Sequence, residues 1–280
     1  MNKEIKLIAL DLDGTLLTTD KKLTDYSKEV LAKAIAQGCE VVVSSGRPIS
    51  AIPKELLEFP GMRYVVSANG ARIVDLKEKK TLYENLIPVE TAEKVLDVFA
   101  QYDDIYEIFV EGIGYTQAEG MAKLEHYFPT PPMREYMLTT RIPVEDVKET
   151  LYKFNRPLDK IHGIFHSRDE KKLAAMQLAE ITGLEVSGAF GNNHEVNAAG
   201  TNKGNGLKRL GEIIGITVDE MMACGDGMND YEMLRTVGFA VAMENGHGDV
   251  KAIANYVTVP NDEDGVAKAI ERFVLKEERG

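Results

Sequence analysis

Apolar runs alternate with helix-period segments over the first part of the chain. Residues 5–10 form a continuous apolar run of the kind expected for a strand buried on both faces. The segments that follow predict a helix at 24–37, a strand at 41–44, a helix at 49–59 and a strand at 64–67. Thr24 suits the N-cap of the first helix, and Gly38 suits its C-terminal end. This order predicts βαβ units and a parallel sheet.

The same alternation returns late in the chain. The predicted elements there are strands at 221–224 and 239–242 and helices at 203–214, 229–236, 249–254 and 264–274. The intervening stretch also mixes helices, such as 90–100, with strands, such as 106–110 and 161–166. We therefore predict a discontinuous core, residues 1–84 and 191–280, with residues 85–190 inserted as a separate α/β domain. The expected fold class is α/β, a Rossmann-like parallel sheet with helices on both faces plus this smaller insert.

Composition and net charge argue against some classes of function, nucleic-acid binding in particular. The chain has 280 residues, 44% apolar and 28% charged, which is ordinary for a globular protein. Its net charge is -12, and such a surface repels a nucleic-acid backbone, so nucleic acid is not an expected partner. A small anionic molecule stays compatible with this charge, because a bound divalent ion reverses the field inside a cleft.

The sequence also bears on the compartment. It shows no leader-like segment and no apolar run approaching the roughly 20 residues of a membrane helix. Cys39 and Cys224 both adjoin apolar strand-like runs, which favours two buried thiols in a reducing compartment over a disulfide framework. We expect a cytoplasmic protein that does not bind membranes, and its oligomeric state stays open.

Candidate chemistry begins where the first strand ends. Asp11 and Asp13 follow the apolar run directly, and burying such carboxylates unpaired costs several kcal/mol, so a cation is expected beside them. Gly14 permits a sharp exit, and ligands bind at the carboxyl ends of parallel strands. The alternative is that Asp13-Gly14 closes an ordinary β-hairpin.

Three later segments also follow or adjoin predicted elements with polar, glycine-containing turns. They are Ser44-Ser45-Gly46-Arg47-Pro48, Thr201-Asn202-Lys203-Gly204 and Gly225-Asp226-Gly227-Met228-Asn229-Asp230. Taken singly, each has a structural explanation: a helix N-cap, a solvated helix start and a turn, respectively. Together they fit a site assembled at one edge of a sheet.

In this order, the four segments resemble the motifs of the haloacid dehalogenase-like phosphotransferase superfamily. Residues 11–15 correspond to its first motif, Ser45 with Gly46 to its second, Lys203 to its third and residues 225–230 to its fourth. Residues 44–48, Ala68-Asn69-Gly70-Ala71 and the mid-chain insert resemble the Cof-type sugar phosphatases. Their α/β cap, a substrate-specificity domain, is inserted between the second and third motifs. The resemblance spans essentially the whole chain.

The resemblance implies a role for each acidic residue. Asp11 would be the nucleophile that forms an acyl phosphate, and Asp13 the general acid and then general base. Magnesium would be bound by Asp11, by the backbone carbonyl of Asp13 and by Asp226, with Asp230 supporting the metal shell.

The resemblance also implies a phosphate site. Its members would be Leu12, Ser45, Gly46 through its N–H, Lys203 and Asn229. These groups would hold the phosphoryl oxygens, where charge is stabilised during transfer.

Arg47 follows the Ser-Gly pair and is a possible substrate contact; the alternative is an ion pair with a carboxylate of the insert. In the insert, Glu111, Tyr115, Arg134 and Arg141 are further candidates for substrate contact.

The predicted function is that of a magnesium-dependent phosphatase that hydrolyses small phosphorylated metabolites, sugar phosphates in particular, through an aspartyl phosphate. A phosphomutase with the same aspartyl chemistry is one alternative, distinguished by whether phosphate is released or reappears on another hydroxyl. A non-catalytic protein that binds phosphorylated metabolites is a second alternative. The presence of all the reactive carboxylates argues against it.

Overall fold

The computed structural model describes residues 4–128, 131–188 and 191–275. These residues divide into two compact units. One unit contains the described residues up to Ser45, Pro53–Tyr83 and those from Asn202 onward. The other contains Gly46–Ile52 and the described residues of Glu84–Thr201.

Strands and helices are numbered in chain order. The strands are β1 (Leu7–Leu10), β2 (Glu40–Ser44), β3 (Tyr64–Ser67), β4 (Arg72–Asp75), β5 (Lys80–Glu84), β6 (Asp104–Val110), β7 (Ile113–Gln117), β8 (Arg141–Val144), β9 (Lys160–Phe165), β10 (Leu184–Ser187), β11 (Asn193–Ala198), β12 (Met221–Gly225), β13 (Phe239–Met243) and β14 (Tyr256–Thr258). The helices are α1 (Asp25–Ala36), α2 (Lys54–Leu57), α3 (Val89–Phe99), α4 (Ala118–Ala122), α5 (Leu124–Tyr127), α6 (Pro131–Thr140), α7 (Val147–Phe154), α8 (Arg168–Ala179), α9 (Lys203–Ile214), α10 (Tyr231–Thr236), α11 (Gly248–Ile253) and α12 (Gly265–Phe273).

The first unit is built on an eight-stranded sheet in the order β14-β13-β12-β1-β2-β3-β4-β5. The pairs from β14 to β3 are parallel, and β4 runs antiparallel to β3. Leu10 at the end of β1 pairs with Val43 of β2 and with Cys224 of β12. The turn at Asp13-Gly14 therefore leads out of a parallel sheet, and the hairpin alternative is wrong.

Both faces of this sheet are covered. Leu7 and Ala9 belong to an apolar cluster that includes side chains of α9 and α10, such as Leu207 and Met233. Ile8 and Leu10, which point to the opposite face, are fully buried. On the sheet, α1 packs against β2 and α12 against β13 and β14. Burial on both faces is the physical reason why the first strand is apolar throughout.

The second unit is built on a six-stranded sheet in the order β10-β11-β9-β6-β7-β8. Its pairs are antiparallel apart from β7 with β8. Apolar side chains of its strands and of α3, α7 and α8 form one cluster, which includes Phe99, Leu151, Phe165 and Leu178. A smaller cluster joins Ile105 and Ile164 of the sheet to α5 and α6.

The boundaries of the insert differ from the prediction. We predict a return to the core at residue 191, whereas the structure places it at Asn202. The reason is β11, which pairs with β9 and β10 and so belongs to the second sheet. Residues Gly46–Ile52 also belong to the second unit, where Ser50 N donates to Gly112 O at 3.1 Å. Residues 189–190 at the predicted boundary lie outside the described residues.

Some local elements also differ. The predicted helix at 49–59 is a 3₁₀ turn, Ile49–Ala51, followed by α2, because Pro53 lacks an N–H and starts a new helix. The strands β4, β5 and β14 were not predicted. Cys224 is buried and Cys39 is partly buried, and both are thiols. None of the helices within the described residues combines the length and apolar character needed to cross a membrane.

Candidate active site

Asp11 lies at the carboxyl end of β1 and is almost fully buried. Its N–H donates to Cys224 O at 3.1 Å, so the neighbouring strand holds its backbone. Gly14 turns the chain away with a φ of +81°, and a Cβ atom there would lie 2.5 Å from Oδ2 of Asp226. Both the left-handed backbone and the close approach therefore require glycine at this position.

Lys203 is the first residue of α9, whose N-terminus is capped by the Asn202 side chain, which accepts a hydrogen bond from Asn205 N. The side chain of Lys203 has no exposed surface. Its Nζ donates to Oδ1 of Asp11 at 2.7 Å and to Oδ1 of Asp230 at 2.5 Å. Burial alone would lower the pKa of Lys203, but the charges of Asp11 and Asp230 outweigh it and raise the pKa. Lys203 is therefore charged, and it joins two of the motifs.

Asp226 and Asp230 follow β12 in a short turn. Oδ2 of Asp230 accepts hydrogen bonds from the N–H groups of Asp226 and Gly227, each at 2.9 Å. Oδ1 of Asp226 accepts a hydrogen bond from Thr15 Oγ1 at 2.9 Å. One oxygen from each of Asp11, Asp226 and Asp230 lies within 4.8 Å of the others.

This acidic cluster carries more negative charge than Lys203 balances. Burial, followed by the charge of Asp230, raises the pKa of Asp11 well above its usual value. The same two causes raise the pKa of Asp226 to about 7. A hard divalent cation prefers carboxylate oxygens and would relieve this repulsion. The carboxylates of Asp11 and Asp226 therefore fit such an ion, and Asp230, whose two oxygens accept hydrogen bonds from Lys203 and from the N–H groups of Asp226 and Gly227, lies beside them.

Asp13 makes a different contact. Its Oδ1 accepts a hydrogen bond from Lys21 Nζ at 2.6 Å, and each of these two side chains is 25% exposed. Asp13 is not one of the three carboxylates that come together in the described part of the chain. Its predicted metal contact is through its backbone carbonyl and stays a prediction.

The predicted phosphate ligands Leu12, Ser45 and Asn229 lie near these strand ends. Because Leu10 pairs with Val43, Ser44 is the next residue on the strand beside Asp11, and Ser45 follows it. Ser45 is buried, and its backbone is held by Val66 O and Asn69 N. The side chain of Leu12 is fully buried, which leaves its backbone as the group for a phosphate contact. Asn229 is half-buried in the 3₁₀ turn Met228–Asp230.

Gly46 and Arg47 belong to the second unit. The guanidinium of Arg47 donates to Ala51 O at 2.8 Å and lies 4.5 Å from the centre of the Tyr136 ring. These contacts orient Arg47, whose contact with substrate stays a prediction. Gly46 O accepts a hydrogen bond from Lys160 Nζ at 2.7 Å.

The charged candidates in the insert are engaged in ion pairs of their own, whereas the ring of Tyr115 packs against that of Phe154. Arg141 donates to Glu107, with Nε 2.7 Å from Oε2, and both side chains are almost fully buried. His162 Nδ1 lies 2.7 Å from the other oxygen of Glu107. Burial raises the pKa of Glu107, but Arg141 and His162 outweigh it and lower the pKa below its usual value. Arg134 and Glu111 pair with Glu125 and Arg156.

Sequence reasoning missed three contributors to these contacts. Thr15 lies inside the first motif but was assigned no role there, and its hydrogen bond to Asp226 reveals its part. Lys21 lies ten residues after Asp11, outside every motif, and no sequence signal pointed to it. Glu107 lies in a predicted strand, where alternation alone does not identify a buried acid.

Known proteins resemble this chain over nearly its full length. A family profile described as haloacid dehalogenase-like hydrolase matches residues 8–270. Phosphatase YwpJ of Bacillus subtilis is 30% identical, covering 96% of this chain and 100% of the relative. The 5-amino-6-(5-phospho-D-ribitylamino)uracil phosphatase YcsE of Bacillus subtilis is also 30% identical, covering 97% of both chains.

Solved structures agree with the family profile. A haloacid dehalogenase-like hydrolase from Bacillus subtilis has a TM-score of 0.83 and 29% identity, covering 97% of this chain and 100% of the other. The subclass IIB sugar phosphatase BT4131 has a TM-score of 0.81 and 25% identity, covering 96% of this chain and 98% of the other. The predicted fold class, family and enzyme class are thus confirmed. The chain belongs to the haloacid dehalogenase-like hydrolase family, as a phosphoric monoester hydrolase.

Proposed function

We propose that this phosphatase is magnesium-dependent and hydrolyses small phosphorylated metabolites, sugar phosphates among them, through an aspartyl phosphate. The observation that carries the proposal is the environment of Asp11, a buried carboxylate held by Lys203 beside Asp226 and Asp230. A bound Mg²⁺ would offset the repulsion between these carboxylates and a phosphoryl group, and would favour the ionised form of Asp11.

Asp11 is the nucleophile in this proposal. Its Oδ1 accepts a hydrogen bond from Lys203, which leaves Oδ2 to attack phosphorus. As the new bond from carboxylate to phosphorus forms, the bond from phosphorus to the ester oxygen breaks. Asp13 supplies the proton that the departing alkoxide takes up.

The second step regenerates both residues. Asp13, now ionised, removes a proton from the water that attacks the aspartyl phosphate. The Asp11 carboxylate is restored and inorganic phosphate is released. Asp13 is partly exposed, whereas Asp11 is buried. This difference supports the assignment of proton transfer to Asp13 and of nucleophilic attack to Asp11, because the proton must be exchanged with a group that enters from solvent.

The phosphoryl oxygens are held by groups from separate segments. We assign this task to the backbone of Leu12, to Ser45, to the N–H of Gly46, to Lys203 and to Asn229. Fixed donors of this kind stabilise charge that develops on the transferring group. Substrate selection is assigned to the inserted unit and to Arg47.

The names of the relatives support a small-molecule substrate. YcsE acts on a phosphorylated ribitylaminouracil, and BT4131 is a sugar phosphatase. A cytoplasmic location is part of the proposal, since Cys39 and Cys224 are thiols, as a reducing compartment favours. The phosphomutase alternative predicts that phosphate reappears on another hydroxyl of the substrate instead of being released.

The proposal is tested with p-nitrophenyl phosphate and a panel of sugar phosphates. We expect phosphate release with Mg²⁺ and none with EDTA. Asp11→Asn should abolish release, whereas Asp20→Asn, an exposed acid in the same loop, should leave it unchanged. Normal turnover by Asp11→Asn would exclude Asp11 as the nucleophile, and no phosphate from any ester would overturn the proposed activity.

A further inference from the structure

The loop that follows the first motif contains a tight turn. Thr18 N donates to Lys22 O at 3.0 Å, and Lys21 N donates to Thr18 O at 2.8 Å. Lys21 has a φ of +62°, in the left-handed region that costs a non-glycine residue about 1–3 kcal/mol. The surrounding structure must therefore hold Lys21 in place.

A second segment of the same unit fastens this loop. Asn261 Nδ2 donates to Leu17 O at 2.9 Å. Asp262 accepts hydrogen bonds from Thr19 N and Thr19 Oγ1, each at 2.7 Å. The loop is thus fixed at its base, which sets the position from which Lys21 extends.

Lys21 reaches back to the first motif. Its Nζ lies 2.6 Å from Oδ1 of Asp13, and the two side chains are equally and only partly exposed. The contact engages one oxygen of the carboxylate, and the partial exposure leaves Asp13 accessible to an incoming molecule. A partly exposed ion pair of this kind contributes on the order of 1 kcal/mol to stability, so stability alone is a weak reason for a strained lysine at this point.

We propose that Lys21 is a positioning residue for Asp13. By binding Oδ1, the ammonium group restricts rotation of the Asp13 side chain and directs Oδ2 to the leaving oxygen and then to the attacking water. Proton transfer requires heavy atoms within about 2.6–3.2 Å, and a misplacement of about 1 Å lowers a rate by about 100-fold. The inference rests on the proposed function, in which Asp13 transfers the proton.

Leaving-group dependence separates positioning from a merely structural role. An alkyl phosphate needs a proton on its departing oxygen, whereas p-nitrophenolate leaves without one. The measured quantity is kcat/KM, which reports the steps up to loss of the first product. We expect Lys21→Met to lower kcat/KM by about 10- to 100-fold for an alkyl phosphate, and by no more than about 3-fold for p-nitrophenyl phosphate.

Three variants control this experiment. Lys22→Met removes the neighbouring exposed lysine and should leave both substrates unaffected. Lys21→Arg keeps a cationic donor and should restore much of the alkyl phosphate activity. Lys21→Gly relieves the left-handed strain but lacks the ammonium, so it should show the same substrate-dependent loss as Lys21→Met.

The outcomes are distinct. Equal losses with the two esters would show that Lys21 acts on binding or on the loop, and would overturn the assignment. No loss with either ester would leave the ion pair purely structural, which also overturns it. If the wild-type protein released no phosphate from either ester, the proposed function itself would fail and the assignment with it.

Discussion

Lys203 and Asp230 form a fully buried ion pair, with Nζ 2.5 Å from Oδ1 across 27 residues of sequence. Neither side chain has exposed surface, and Lys203 also binds Asp11. The pair therefore links α9 to the turn after β12. Among the hydrogen bonds of the described residues, Lys203 is the cation that balances the charge of Asp11 and Asp230.

Removing this cation should destabilise the protein as well as inactivate it. Lys203→Met leaves two buried carboxylates without their ammonium partner, and we expect a loss of about 3–5 kcal/mol in the free energy of unfolding. Lys208→Met, on an exposed position of the same helix, is the control. Urea denaturation measures both, and equal stabilities for the two variants would contradict the importance of the pair.

Stabilisation by Mg²⁺ should depend on pH. The pKa of Asp226 is raised to about 7 by burial and then by Asp230, and the pKa of Asp11 is raised for the same reasons. A carboxyl with a raised folded pKa contributes stability below its unfolded pKa, and this contribution is lost as the pH rises through the folded pKa. Without metal, these groups therefore disfavour the folded state more at pH 8 than at pH 5.

Mg²⁺ reverses this trend, because it binds the ionised carboxylates. We expect Mg²⁺ at about 100 times its Kd to add about 2.7 kcal/mol at pH 8 and much less at pH 5. Thermal unfolding with and without MgCl₂, at matched ionic strength, measures the difference. An equal effect of Mg²⁺ at both pH values would contradict the prediction.

Gly14→Ala should weaken metal binding. A Cβ atom at residue 14 would lie 2.5 Å from Oδ2 of Asp226, and the φ of +81° adds backbone strain. Gly38→Ala is a matched control, since Gly38 has a φ of +92° and nothing within 4 Å of its added Cβ. Both variants should lose about 1–2 kcal/mol of stability from strain, but only Gly14→Ala should lose Mg²⁺ affinity by calorimetric titration. Unchanged Mg²⁺ affinity of Gly14→Ala would contradict the conclusion that the close approach of Gly14 to Asp226 is needed for metal binding.

Ser44 and Ser45 should respond differently to alanine. Within the described residues, Ser44 Oγ is buried without a hydrogen-bond partner, so Ser44→Ala should keep or increase the unfolding temperature and retain activity. Ser45→Ala should lower the affinity for inorganic phosphate by about 10-fold, since one hydrogen bond to a charged group contributes about 1.5 kcal/mol. Competitive inhibition by inorganic phosphate measures this affinity. If Ser44→Ala bound phosphate more weakly than Ser45→Ala, Ser44 would be the phosphate ligand instead of Ser45.

The sequence alone predicted the parallel core and much of the site. The helix predicted at 203–214 has those bounds in the structure, because its apolar periodicity, its cap at Asn202 and the stop at Gly215 are all local signals. Asp11, Lys203 and Asp226 were selected by motif, and the structure places them together.

Other features needed the tertiary structure. Strand β11 is buried throughout although one of its faces is polar, and it pairs with β9 in the second sheet. Its sequence pattern therefore did not reveal a strand or the true end of the insert. The ion pair of Lys203 with Asp230 and the contact of Lys21 with Asp13 depend on where separate segments meet in space. Apolar periodicity and helix caps depend on residues close together in the sequence, so they can be recognised from the sequence alone. Hydrogen bonds and ion pairs between distant segments are decided only when the folded backbone brings them within about 3 Å.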